Sequence, residues 1–330
     1  MSTVSRKKRN VKQFSQLEHA KKKSMWIGSS DAQLLKLHIY NNKTNLMEIR
    51  EMKFAPGLFK IIDEIVVNAM DHWVNYPTLV KNLYINFDKS NGQVSIMNDG
   101  PGIEIKKIKN IHGKEMYTVQ MIAAEFLAGD NLDDDKNRVT GGTNGAGLKL
   151  TNAFSDELVI ETTDMDNKLF YRQRFTNRLE CIHDPTIVSL KKAPVDKRCG
   201  QTTIIFTPSY KEAFKFEDGY DMDRDHKTLH QLIRTRAYQA AAYVDCSVYY
   251  NNKKIKLPEG DDKFSNFVSL FYDDESTDIW RGTLGQKHKW DVCIGPSDGK
   301  ARSFSLINGM WVHQGGSHIK HIQGLIVKGL

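Results

Sequence analysis

Between Ala55 and Trp73 the chain reads APGLFKIIDEIVVNAMDHW, with apolar residues recurring at helical spacing. At about 100° per residue, Leu58, Ile61, Ile62, Ile65, Val66, Val67, Ala69 and Met70 cover most of the circumference, and Lys60, Glu64, Asn68 and Asp71 share one narrow stripe. Pro56 suits the first turn and Pro77 stands just past the end. The pattern predicts a buried helix with a single polar seam. Strand-like runs follow over Leu83–Phe87 and Gln93–Met97, around a Ser-Asn-Gly turn and before the loop NDGPG (98–102). A helical stretch near Thr118–Leu127 leads into the polar segment AGDNLDDDKNR (128–138). Downstream, ELVIETT (157–163), KLFYRQRF (168–175) and QTTIIFTP (201–208) read as strands of one antiparallel sheet. HKTLHQLIRTRAYQAAAYV (226–244) reads as a long helix and VYYNNKKIKL (248–257) as a short strand pair. From about Pro258, the strands KWDVCIG and SFSLING and the segment HQGGSHIKHIQGL predict a second domain.

The length of 330 residues suggests roughly two domains with a sizeable core. No run approaches the roughly 18 apolar residues of a transmembrane helix, and the first residues lack the apolar core of a signal peptide. A soluble intracellular protein without membrane association is expected. Cys181, Cys199, Cys246 and Cys293 are dispersed, without metal or dithiol spacing, and are read as reduced, small core residues. The net charge of +7 is local: residues 1–23 carry eight Lys or Arg against Glu18 alone, so the rest is formally neutral. Such a basic arm suits DNA, an acidic partner surface or a nuclear address, and equally a solvated tail.

The richest stretch is VTGGTNGAGLKLTNAFS (139–155), with Gly141, Gly142, Gly145 and Gly147. A P-loop requires Lys directly after the last glycine, followed by Ser or Thr; here Leu148 intervenes before Lys149, and Leu150 occupies the hydroxyl position. A Rossmann fingerprint requires the glycines straight after a first strand, whereas these follow an acidic loop. What remains is a concavity of backbone N–H groups at a helix starting near Ala146, with Lys149 as a point charge for a phosphate, or else an ordinary turn. The polar seam favours the phosphate. A carboxylate at Glu64 can orient and deprotonate a water, and an amide at Asn68, one turn on, is a hard oxygen ligand suited to Mg²⁺. At a strand end, Asn98 or Asp99 can bond a base edge, and Gly100 and Gly102 let backbone approach a flat ring.

In this order and combination, E-x-x-x-N, NDGPG and GGTNGAGLK resemble the GHKL ATPases. The closest likeness is to the ATPase region of type IIA DNA topoisomerases of the eukaryotic and large-DNA-virus type, carried also by QTTIIFTPSY, TRAYQAAAYV and SFSLINGMWVHQGGSHIKHI from about residue 24 onward. The resemblance implies an α+β fold: a basic arm (1–23), a GHKL (Bergerat) α/β sandwich (24–257) and part of a ribosomal-S5-like transducer domain (258–330). It implies ATP and Mg²⁺ as cofactors, double-stranded DNA and a second copy of the chain as partners, and a place in the nucleus, or in host cytoplasm or nucleus for a viral source. It makes Glu64 the general base, Asn68 the Mg²⁺ ligand and Asn98 the reader of the adenine amino group, with Asp99 and Gly102 beside it. It puts Asn131 against ribose and phosphates, Gly142, Thr143, Asn144, Gly145, Ala146, Gly147, Leu148 and Lys149 in the phosphate-wrapping loop and lid, and Thr202 at the back of the adenine pocket.

The chain departs from the family pattern at Ala128-Gly129-Asp130, where cellular relatives usually have Ser residues, at His72, where Asn is common, and at Trp311-Val-His313. The resemblance also implies a lysine for the γ-phosphate, in a Gln-Thr-Lys loop past Gly-Gly-x-His; the sequence ends before such a loop, as in a piece of a longer protein. A GHKL clamp of Hsp90 or mismatch-repair type, a histidine kinase and a non-enzymatic DNA-binding protein remain as alternatives.

Overall fold

A computed structural model describes residues 15–22, 26–126, 145–260, 262–273, 277–284, 290–297, 299–313 and 315–329. Helix α1 (Gln16–Lys22) precedes a hairpin of β1 (Gln33–Asn41) and β2 (Leu46–Phe54), paired residue for residue along its length. The predicted amphipathic helix is α2 (Pro56–Asn75), with Pro56 in the first turn and the Tyr76 N–H closing it on the carbonyls of His72 and Trp73. Next come β3 (Asn82–Phe87), β4 (Val94–Asp99), a small ladder of β5 (Lys107–Lys109) and β6 (Glu115–Tyr117), and α3 (Thr118–Ala124). Helix α4 (Gly147–Ala153) leads into β7 (Ser155–Asp164), β8 (Leu169–Thr176), β9 (Cys181–Ile182), β10 (Thr186–Ser189) and β11 (Gln201–Pro208). Helix α5 (Met222–Tyr243) is capped by Asp221, whose side chain accepts from the Arg224 N–H, and β12 (Ser247–Tyr250) and β13 (Lys253–Lys254) follow. The remaining elements are α6 (Lys263–Val268), the pair β14 (Trp280–Leu284) and β15 (Trp290–Ile294), the pair β16 (Leu306–Ile307) and β17 (Met310–Trp311), and α7 (Ser317–Gly329).

Nine strands form one sheet in the order β10-β8-β7-β11-β4-β3-β12-β13, with β9 on β8. All its pairings are antiparallel except β12 with β3. Side-chain alternation puts Leu83, Ile85, Val94, Ile96, Ile160 and Ile204 into a single core with the apolar faces of α2, α4 and α5. The result is a two-layer α/β sandwich. The hairpin lies on α5: the Tyr40 N–H donates to Thr235 Oγ1 at 3.0 Å, and Leu37, Ile39, Met52 and Phe54 pack with Phe59 and Leu232. Phe267 and Leu270, from α6 and the turn after it, join Tyr40, Met47 and Tyr238 in a third cluster.

Two expectations change. Asp71 does not stay in the accessible seam: Lys60 and Glu64 are half-buried and Asn68 exposed, but Asp71 is buried. Burial, and then the charge of Asp71, raise the pKa of Tyr243. Nor are the cysteines all in the core. Only Cys246 is buried; Cys293 is half-buried, and Cys181, on the short strand β9, and Cys199, in the loop before β11, are exposed. Among the described residues no helix is long and apolar enough to cross a membrane.

The seam between α5 and the sheet carries a titratable group. His230 Nδ1 lies 2.9 Å from the Tyr250 hydroxyl, and burial, followed by the charges of His226 and Arg234, lowers its pKa from 6.5 to about 4. The unfolded chain therefore binds the extra proton first, and stability is lost as pH falls from the unfolded value toward about 4. Denaturant midpoints should decline across that window in wild type, and His230→Gln should flatten the decline.

Candidate active site

The apolar stripes of the sheet end in a polar row. Register places Asn98 of β4 opposite Thr202 of β11, and Thr202 opposite Thr162 of β7, so all three share one face at one end of three adjacent strands. The Thr162 and Thr202 hydroxyls are 2.9 Å apart, and Thr162 Oγ1 accepts from the Ile103 N–H at 2.9 Å. Asn98 is buried; its Nδ2 donates to the Asp99 carbonyl at 3.0 Å, and among the described residues its Oδ1 accepts no hydrogen bond. Gly102 is packed so closely on β7 that an added Cβ would run into the Thr163 carbonyl, which only glycine avoids. His72 lies beneath this loop, near Gly100, with its Nε2 buried and, among the described residues, unpaired, and its pKa lowered by burial.

Asp99 has a different place from the one expected. Alternation turns it to the opposite face from Asn98, and its carboxylate accepts from the backbone N–H groups of Lys81 (2.7 Å) and Asn82 (2.9 Å) and from Asn82 Nδ2 (2.6 Å). It ties the start of β3 to the end of β4 and so positions the Asn98 loop, with no lone pair directed at the Asn98 face.

Helix α2 presents Glu64 and Asn68 one turn apart on its less buried stripe. The Glu64 side chain is 18% exposed and pairs with Lys60 Nζ at 2.5 Å; burial works against the Lys60 charge, but Glu64 and Asp63 outweigh it and raise its pKa. The first residue of α4 abuts this carboxylate, since a Cβ on Gly147 would collide with Glu64 Oε2. Two buried side chains hold α4 there: Thr151 Oγ1 donates to the Ile61 carbonyl of α2 at 2.8 Å, and Asn152 Nδ2 to the Ala123 carbonyl of α3 at 3.0 Å. Among the described residues no side chain caps the start of α4, so its first N–H groups remain available as donors. Lys149 is buried, and its Nζ donates to the carbonyl of Gly145 in the same glycine-rich stretch. Asn131, Gly142, Thr143 and Asn144 lie outside the described residues; Gly145, Ala146 and Leu148 flank Gly147 at the helix start.

One functional candidate escaped the sequence reading. Asp63, beside Glu64 but on the buried face of α2, accepts from Arg236 Nε of α5 at 2.5 Å. Arg236 is fully buried and also donates to the Gly309 carbonyl at 2.6 Å, in the turn between β16 and β17. Trp311 packs edge-on against Phe59 of α2 at 5.6 Å between ring centroids. The C-terminal segment thus docks on the helix that carries Glu64. The usable signals were a carboxylate at an apolar position of α2 and an arginine within the small-residue run TRAYQAAA.

Comparisons with known proteins decide what this arrangement belongs to. Residues 55–183 match the family described as histidine kinase-, DNA gyrase B- and HSP90-like ATPase. The crystal structure of the ATPase region of Saccharomyces cerevisiae topoisomerase II superposes with a TM-score of 0.83 at 33% identity, covering 97% of this chain and 79% of that one. The chain belongs to the type II topoisomerase ATPase regions. The ATPase and transducer domains of Balamuthia mandrillaris topoisomerase II match with a TM-score of 0.82 at 27% identity, over 97% of this chain and 76% of that one. DNA topoisomerase 2 of S. cerevisiae is 32% identical over 333 residues, and that of Acanthamoeba polyphaga mimivirus 31% over 313 residues. These alignments take in 96% and 92% of this chain but only 22% and 23% of those proteins. The α/β sandwich is therefore the GHKL ATPase fold of that family, matched together with its transducer.

Proposed function

We propose that this chain binds ATP with Mg²⁺, hydrolyses it, and serves as the dimerisation gate of a type II DNA topoisomerase that captures and passes a duplex. The observations that carry this reading are the meeting of the Glu64 carboxylate with the start of α4 and the row Asn98, Thr202 and Thr162 at one end of the sheet. Asn98 Oδ1 accepts from the adenine amino group, and Gly102 gives backbone clearance for the ring. The first N–H groups of α4 face the phosphates. Asn68 supplies a hard oxygen to Mg²⁺; among the described residues no cluster of three or more acidic, His or Cys side chains competes for it. That fits a metal that retains several waters and takes phosphate oxygens as further ligands. When bound, Mg²⁺ neutralises phosphate charge, and Glu64 accepts the proton of a water in line with the terminal phosphate.

ATP acts as a switch if it binds the closed dimer better than the open one. Residues 24–257 are read as the ATPase unit and 258–330 as part of the transducer, joined through Arg236 and Gly309. The basic residues of 1–23 are read as an arm that touches the captured duplex, and the work as nuclear or, for a viral source, in host cytoplasm or nucleus. Sedimentation with a non-hydrolysable ATP analogue and Mg²⁺ should convert monomer to dimer; a chain that binds the analogue and stays monomeric would contradict the gate. Gly102→Ala should weaken ATP binding at least tenfold, because the new Cβ forces the loop off the Thr163 carbonyl; equilibrium dialysis checks it.

A further inference from the structure

A second concavity, of about 350 Å³, lies away from the Asn98 row, between the β1–β2 hairpin and the outer face of α5. Four of its lining residues are permanent cations, Lys43, Arg50, Lys227 and Arg234, two more are histidines that burial shifts toward the neutral form, His226 and His230, and none is acidic. This size suits a small ligand. The carboxylate beside Arg50, Glu48, is already engaged: hydrogen bonds from Thr44 and Asn41, and then Arg50, lower its pKa to about 2. Lys43, Lys227 and Arg234 have no ion pair among the described residues.

The walls are held in place. Arg234 lies over the Tyr40 ring at 5.1 Å and the Tyr238 ring at 6.0 Å, and the two rings stack at 3.8 Å. Tyr40 is in turn fixed to α5 by its backbone bond to Thr235 and to the hairpin turn by its hydroxyl on Asn45 at 2.9 Å. The guanidinium plane is thus set by two aromatic rings instead of by a carboxylate, which leaves its charge available. His226 stacks on Phe87 at 5.9 Å between ring centroids. A concave surface with unpaired cations and no acid is matched by a compact polyanion.

We infer that this pocket binds phosphate groups, contributed either by a free polyphosphate ion or by the backbone of DNA. It is separate from the nucleotide site, and its residues take no part in the proposed hydrolysis. Arg234, Lys43 and Lys227 supply the charge; Asn41 and Asn42 at the hairpin turn add polar rim contacts.

The test uses the whole chain with its nucleotide site filled by a non-hydrolysable ATP analogue and Mg²⁺, so that added phosphate reports only on a second site. Inorganic tripolyphosphate and a short DNA duplex are titrated separately, at low and moderate salt, against wild type and the double variant Lys43→Gln, Lys227→Gln. Both substitutions fall on exposed side chains, so folding and ATP turnover should stay unchanged. At least one of the two probes should bind wild type and lose tenfold or more in the variant, and the log–log salt slope for the duplex, if it uses this site, should shrink by about 2. Loss confined to tripolyphosphate identifies a free polyphosphate as the occupant, and loss confined to the duplex identifies the DNA backbone. If neither probe binds, or binding is the same in wild type and variant, the inference is overturned. Failure of the analogue to bind is read separately and bears on the ATP reading alone.

Discussion

Glu64→Ala should abolish ATP turnover, by about 10²–10⁴-fold in kcat, while leaving nucleotide affinity within a few-fold of wild type. In the proposed role the carboxylate takes a proton and does not grip the base or the phosphates. Removing it also frees Lys60, whose charge can then pair with a phosphate, so affinity is expected to hold or rise slightly. Steady-state ADP release gives the first quantity and equilibrium dialysis of ATP the second. A variant that turns over at the wild-type rate would remove Glu64 from the base role; one that loses binding and turnover together would make it a structural residue of α2.

The second large effect is on stability. Arg236 is fully buried with one carboxylate and one carbonyl as partners, and the carboxylate of Asp63 is nearly as deep. Arg236→Met leaves that carboxylate buried without a counter-charge and the Gly309 carbonyl without its donor. Breaking such a pair from one side costs about 3–5 kcal/mol, read from urea denaturation. Replacing both partners, Asp63→Leu with Arg236→Met, should recover most of that loss, because two charges no longer have to be desolvated. The double variant then separates two roles. If stability returns and turnover does not, the ion pair positions α2, and with it Glu64, relative to the C-terminal segment. An Arg236→Met protein as stable as wild type would mean that the pair carries no weight in the fold.

How far these features were legible follows from where the information sits. Helix α2 could be read almost to the residue because its apolar period, Pro56 and Pro77 are all local. Strands β4, β7, β8 and β11 were equally plain from alternation. What escaped depends on partners distant in sequence. Asp71 has the angular position of the seam, yet the chain around it covers it. Asp99 sits beside Asn98 in sequence, but a one-residue step in a strand reverses the face, and its carboxylate satisfies the β3 backbone. The ion pair Asp63–Arg236 joins residues 173 apart, beyond the reach of any periodicity. The hairpin β1–β2 was missed because its strands mix apolar, charged and amide positions, and its burial comes from α5 rather than from its own pattern.

The most direct test of the central claim is binding of ATP and GTP to the wild-type chain, with and without Mg²⁺, by equilibrium dialysis. Asn98 Oδ1 is an acceptor, which the adenine amino group satisfies and the guanine O6 does not. Mg²⁺-assisted binding of ATP and at least tenfold weaker binding of GTP are expected. No binding of ATP, or equal binding of the two, would contradict that claim.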